Sequence, residues 1–137
     1  MKIGYTTGVF DLFHVGHVNI LRNAKSLCDK LIVGVSSDEL VAYKGKSPVI
    51  KYEDRVEVVR SCRYVDLVVP QLDMDKIDAY SRYKFDIMFV GDDWYKTNKW
   101  EKIEDELKKK GVNIIYFPYT KSVSSTLINQ TLENLKS

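Results

Sequence analysis

The run Leu31-Ile32-Val33-Gly34-Val35 decides the fold. Five consecutive positions carry no polar side chain and do not alternate, so this strand is expected to be covered on both faces. Upstream lies Val15–Leu27, where Val18, Leu21, Ala24 and Lys25 recur at helical spacing and Ile20 and Leu27 add apolar surface. Downstream, Ser37-Asp38 reads as the cap of a short helix over Asp38–Ala42, and Tyr43–Ile50 as a loop containing Gly45 and Pro48. The same alternation fills the chain. Strands are expected at Lys2–Thr6, at Leu67–Val69 before Pro70, at Ile87–Val90, and at Asn113–Phe117 before Pro118. Helices are expected at Tyr52–Cys62, Asp73–Tyr83, Trp100–Lys110 with Gly111 at its end, and Ser124–Leu135 capped by Ser124 or Ser125. Strand–helix alternation of this kind implies right-handed βαβ units, hence an α/β fold: a five-stranded parallel sheet flanked by helices.

The 137 residues suffice for one domain spanning 1–137, with no membrane-binding tail or regulatory domain expected beyond it. Lys and Arg number 21 against 19 Asp and Glu, a net charge of +2. That balance argues against nucleic acid or a membrane surface as partner. Cys28 and Cys62 lie 34 positions apart without a CxxC pair, and their apolar-patterned segments place them in the core as reduced thiols. No basic, apolar leader opens the chain and no run of 18 apolar residues occurs, so a cytoplasmic protein is expected.

Parallel α/β sheets bind ligands outside the carboxyl ends of their strands. Following the first strand is Thr6-Thr7-Gly8-Val9-Phe10-Asp11-Leu12-Phe13-His14-Val15-Gly16-His17. His14 and His17, three apart across a helix start, share one side and meet the positive end of the helix dipole, an arrangement suited to phosphate. Gly8 permits a tight turn and Gly16 a close approach. Two surface histidines beside a tight turn are the bland alternative. No GxxxxGK[ST], GxGxxG or GxSxG motif is present, which argues against P-loop, dinucleotide and esterase chemistry.

Gly8–His17 resembles the signature of the HxGH nucleotidyltransferase superfamily, and especially of its cytidylyltransferases. The resemblance continues through Arg55 and Arg63-Tyr64-Val65-Asp66, through Gly91-Asp92-Asp93-Trp94, and through Tyr119-Thr120-Lys121-Ser122-Val123-Ser124-Ser125-Thr126. It implies a single-domain Rossmann-like nucleotidyltransferase fold. It also implies a reaction in which a phosphate monoester attacks the α-phosphorus of a nucleoside triphosphate and pyrophosphate leaves. The implied substrates are CTP and a small phosphorylated alcohol, with Mg²⁺ accompanying the nucleotide and no side-chain metal ligands assigned. Glycerol 3-phosphate is the leading acceptor. The Val33–Leu40 and Cys62–Asp66 stretches keep phosphocholine, phosphoethanolamine and other polyol phosphates open, and an adenylyltransferase or a retired nucleotide-sensing module are further alternatives.

The resemblance also distributes roles. His14, His17, Lys44, Arg55 and Ser125 carry catalysis. Thr7, Gly8, Val9, Phe10, Asp11, Gly16, Asp92, Tyr119, Thr120, Ser124 and Thr126 join His14, His17, Lys44 and Ser125 around the nucleotide. Lys46, Arg55, Arg63, Lys76, Asp93 and Trp94 line the acceptor site. Each has a plainer reading as well. Lys44 and Lys46 suit a solvated loop, and Arg55 and Arg63, eight apart on one side of the third helix region, suit salt bridges to Glu53, Asp54 or Glu57. Asp92 and Asp93 suit an Asx turn, Trp94 the core, and Ser124–Thr126 a helix cap. Asp11 is expected to orient its loop through backbone amides or to help place metal, since direct phosphate contact would be repulsive. Tyr119, Lys121 and Ser122 replace the usual arginine, acid and glycine, and Val9 replaces a common threonine. Family members are usually homodimers with the Arg63 region near the junction, so a homodimer is expected.

Overall fold

A computed structural model describes residues 1–91 and 98–118. Asp92, Asp93, Trp94, Tyr119, Thr120, Ser124, Ser125, Thr126 and the closing helix expected over Ser124–Leu135 therefore lie outside the described residues. In chain order the elements are β1 (Ile3–Gly8), α1 (Val15–Ser26), β2 (Lys30–Ser36), α2 (Asp38–Tyr43), α3 (Tyr52–Arg60), β3 (Leu67–Gln71), α4 (Lys76–Tyr83), β4 (Ile87–Gly91), α5 (Asn98–Lys109) and β5 (Asn113–Phe117). The strands form one sheet in the order β3-β2-β1-β4-β5, and every pairing is parallel.

Each face of the sheet has its own core. Leu31, Val33, Val35, Ile87 and Phe89 project to one side, where Leu21 and Ala24 of α1 and Val59 of α3 cover them. Tyr5, Ile32, Val69 and Met88 project to the other, beneath Ile77 and Tyr80 of α4 and Trp100 and Leu107 of α5. The uninterrupted apolar run of β2 follows from this double cover: Leu31, Val33 and Val35 are fully buried on one face while Ile32 is 3% exposed on the other. Burying a side chain such as Leu21 stabilises the fold by about 1.5–3 kcal/mol.

Several boundaries differ from the sequence expectation by one to three residues, and three of the differences have a clear physical cause. β3 runs through Pro70 to Gln71, because β3 is an edge strand in which a missing N–H breaks no second ladder. The third helix stops at Arg60 with Ser61 as its C-cap, short of Cys62. α4 begins only at Lys76, because Asp75 accepts from the Asp78 N–H as N-cap, and an Asp75 N–H to Asp73 Oδ1 bond of 2.9 Å shapes the turn before it. Cys28 and Cys62 are free but half-buried, packing against the edge of the α1/α3 core.

Helices α1 and α3 lie on one face and α4 and α5 on the other. The chain changes face at the boundary between β1 and β4. The crevice of such a sheet opens at the carboxyl ends of those two strands, just beyond Gly8 and Gly91.

Candidate active site

The loop leaving β1 is held in an uncommon backbone shape. Phe10 (φ 54°) and Leu12 (φ 50°) both occupy the left-handed region, which costs non-glycine residues energy and concentrates at functional sites. Gly8 permits this shape, because a Cβ there would lie 2.9 Å from the Phe10 ring. Phe10 folds inward to 6% exposure, and its ring meets the edge of His17 at 5.4 Å between centroids. Phe13 stacks on His17 at 5.2 Å, and His14 stacks on it at 4.1 Å.

The two histidines cap α1 reciprocally. The Gly16 N–H donates to His14 Nδ1 at 3.0 Å, and the His14 N–H donates to His17 Nδ1 at 3.2 Å. Both Nδ1 atoms are acceptors, so the ring proton of each neutral imidazole sits on Nε2, on the far side of the ring from the helix backbone. Burial, then the adjacent His14, pushes His17 down to about 4 against the opposing charge of Asp11. Burial also lowers His14. Both rings are therefore neutral Nε2–H donors at physiological pH.

His14 itself occupies two of the amides that open at the start of α1: its ring accepts from Gly16 at 3.0 Å and its carbonyl from His17 at 3.0 Å. The helix end adds its dipole to the two imidazole donors.

Lys76 is 6% exposed and donates to Thr7 Oγ1 at 3.1 Å, which places an ammonium at the carboxyl end of β1. Burial, then the charge of Lys44, pushes it down to about 8, with Asp73 opposing. Lys44 thus sits within electrostatic reach of Lys76. It C-caps α2, where the Gly45 N–H bonds to the Ala42 carbonyl at 2.9 Å and the Lys46 N–H to the Val41 carbonyl at 3.1 Å. Those two bonds make a Schellman turn, and Gly45 takes the left-handed position it needs (φ 79°). Lys44 and Lys46 are exposed.

Arg55 was expected to present its fork to substrate phosphate, but it is 1% exposed and four of its five donors bond protein groups. Nε donates to the Ile50 carbonyl at 2.9 Å, and Nη1 to the carbonyls of Val9 at 2.7 Å and Ser36 at 2.8 Å. Nη2 pairs with Asp38 Oδ1 at 2.6 Å. Its ion-pair partner is Asp38 rather than Glu53, Asp54 or Glu57, and the Arg55 contact holds the Asp38 carboxyl below its ordinary value. Arg63 is also not brought to the crevice within one chain. α3 is about 13 Å long and ends before it. Arg63 lies at the amino-end side of the sheet, three residues before Asp66, and donates to Tyr64 Oη at 2.9 Å. Arg22 of α1 donates to the same oxygen at 3.2 Å.

Asp11, 6% exposed, does bond backbone amides, but those of another loop: Val49 to Oδ2 at 2.8 Å and Ile50 to Oδ1 at 2.9 Å. Asp38, Val49, Ile50 and Phe13 were not anticipated at the site. Phe13 had a readable signal, an aromatic four positions before His17. The others had none, because their partners are far away in sequence. Thr7, Gly8, Val9, Phe10, Asp11, His14, Gly16 and His17 lie on the end of β1, the loop that leaves it and the first turn of α1, Lys76 reaches Thr7 there, and Lys44 lies within electrostatic reach of Lys76.

The cytidylyltransferase-like family profile matches residues 5–131. The chain belongs to this family. It is 38% identical over 133 residues to the glycerol-3-phosphate cytidylyltransferase of Staphylococcus aureus, covering 96% of each chain. It is 34% identical to the Bacillus subtilis enzyme of the same name, covering 98% of this chain and 100% of that one. An FAD synthase from Thermococcus kodakarensis is 40% identical over 119 residues, 82% of this chain and 76% of the other. Among solved structures, a lipopolysaccharide core biosynthesis protein from Thermoplasma volcanium superposes with a TM-score of 0.73 at 28% identity, covering 88% of this chain and 97% of that chain.

Proposed function

We propose that this cytidylyltransferase-like protein transfers CMP from CTP to glycerol 3-phosphate, forming CDP-glycerol and pyrophosphate. The observation that carries this reading is the placement of two neutral Nε2–H donors, the α1 dipole and the Lys44–Lys76 pair at one strand end. Similarity across nearly the whole length of the glycerol-3-phosphate cytidylyltransferases supports the choice of substrates. A phosphate oxygen of the acceptor attacks the α-phosphorus, a new P–O bond forms, and the bond to the β-phosphate oxygen breaks. An acceptor dianion needs no general base, so the protein's task is positioning and stabilising spread negative charge. His14 and His17 donate to the oxygens that gain charge, and Lys76 with Lys44 and Lys46 hold the acceptor phosphate.

Among the described residues no group of three or more His, Cys, Asp or Glu converges on a metal position, and both Asp11 oxygens accept backbone N–H groups. Mg²⁺ fits as a companion of the triphosphate, entering as part of the substrate and neutralising its charge. Roles for Asp92, Asp93, Trp94, Tyr119, Thr120, Ser124, Ser125 and Thr126 around nucleotide and acceptor remain part of this proposal.

The 40% identity to an FAD synthase favours a second reading, adenylyl transfer from ATP on the same site. Coverage distinguishes them: the cytidylyltransferases match end to end, the FAD synthase over 82% of this chain. No helix among the described residues is long and apolar enough to cross a membrane. We place the protein in the cytoplasm as a homodimer, with the exposed Val58 and Leu67 flanking the Arg63–Tyr64 segment at the junction. Incubation with Mg²⁺, CTP and glycerol 3-phosphate, followed by ³¹P NMR, tests the reaction. Paired diphosphate-diester resonances of CDP-glycerol are expected. Their absence alongside ADP-linked product from ATP would favour the second reading.

A further inference from the structure

We propose that Arg55 and Asp11 are positioning residues that clasp the 44–50 segment to the histidine loop, so that Lys44 and Lys46 face the acceptor phosphate without either clasp residue touching it.

The inference rests on the nucleotidyl-transfer reading and on where the hydrogen bonds go. The guanidinium of Arg55 bonds carbonyls from three separate segments: Val9 in the histidine loop, Ser36 at the end of β2, and Ile50 at the end of the lysine segment. A rigid fork with several donors can do this at once, whereas a lysine ammonium is a point charge on a flexible stem. Burying a cation is costly without a partner, and Asp38 supplies the charge from the start of α2.

Asp11 fastens the same segment from the other side. Its two oxygens take the adjacent N–H groups of Val49 and Ile50, so both the amides and the carbonyl at the end of the segment are held. The other end is closed by the Gly45 Schellman turn. Pro48 stiffens the stretch between. The backbone is thus fixed at both ends while the Lys44 and Lys46 side chains stay exposed. Such a strap has value for catalysis because small misplacement of a phosphate-holding group is costly in rate. The histidine loop and the lysine segment share the same two anchors, so the two halves of the site are set relative to each other by Arg55 and Asp11.

The test compares Arg55→Lys in two backgrounds, the native chain and the Lys44→Ala/Lys46→Ala double variant. If Arg55 acts through the lysines, the native background shows the KM for glycerol 3-phosphate rising about tenfold or more, and the lysine-free background shows less than about a threefold change. Equal factors in both backgrounds overturn the proposal, because a purely structural loss or a direct contact would multiply through. Asp11→Asn, which leaves one acceptor oxygen for two amides, provides a second variant should Arg55→Lys fail to fold. Hydrogen exchange in that variant is expected to lose protection at the Val49 and Ile50 amides while β2 stays protected, and unchanged protection there overturns the clasp. If the native protein transfers no CMP to glycerol 3-phosphate, the functional reading fails, and the exchange measurement still decides the clasp.

Discussion

His14 and His17 fix one another: the His14 N–H donates to His17 Nδ1 at 3.2 Å, and the two rings stack with centroids 4.1 Å apart. Each ring is oriented, and its proton assigned to Nε2, before any ligand arrives. Preorganised donors of this kind need no rearrangement as charge develops.

Removing one such donor carries a known scale of loss. His17→Ala is expected to lower kcat by about 10²–10³. KM for CTP should change far less, and far-UV circular dichroism should be native. A loss of less than about threefold would mean that His17 does not act on the transition state.

The depressed His17 value sets a pH dependence of stability. The folded value is about 4 and the ordinary value 6.5, so between those pH values the unfolded chain holds more protons than the folded one. The stability this residue contributes is fully present above pH 6.5 and is lost as pH falls towards 4. Urea midpoints measured from pH 7 to 4 should fall more steeply for the native chain than for His17→Gln. NMR titration should show the His17 ring neutral until near pH 4. Protonation of that ring at its ordinary value would contradict the assignment.

Lys76 makes the opposite end of the pH range informative. Its ammonium, pushed down to about 8, is lost in the free protein as pH rises through that value. KM for glycerol 3-phosphate should therefore rise above about pH 8. In Lys76→Arg this limb should vanish, because an arginine stays charged throughout. A native KM that stays flat to pH 9.5 would separate Lys76 from the acceptor phosphate.

Gly45 and Gly111 form a matched pair. Both take a positive φ, at 79° and 89°, and a Cβ at either meets open space. Alanine at each should cost about 1–2 kcal/mol through backbone strain alone, read by denaturant unfolding. Only Gly45→Ala should also raise KM for the acceptor, because only Gly45 shapes the turn between Lys44 and Lys46. Equal KM values for the two variants would detach that turn from binding.

The apolar run of β2, the helical spacing of α1 and the glycine stop after α5 were readable locally, and they sufficed for an all-parallel sheet with helices on both faces. Boundaries failed where tertiary context decided them: Pro70 stays in a strand because that strand is an edge, and the third helix ends at Arg60. The histidine loop was legible because its chemistry is consecutive in sequence. Arg55 was not. Helical spacing placed it beside Arg63, but its partners Val9, Ser36, Asp38 and Ile50 come from four places that only the folded chain brings together. For Asp11 the sequence left backbone amides of its own loop or a metal as partners, and the amides it bonds, those of Val49 and Ile50, come to it only when the lysine segment folds back over it.

Nucleotide and acceptor choice are read together in a matrix of the four nucleoside triphosphates against glycerol 3-phosphate, phosphocholine, phosphoethanolamine and other polyol phosphates, followed by pyrophosphate release with Mg²⁺ present. CTP with glycerol 3-phosphate is expected to give the highest kcat/KM in the matrix. Pyrophosphate release with ATP and none with CTP would contradict that assignment.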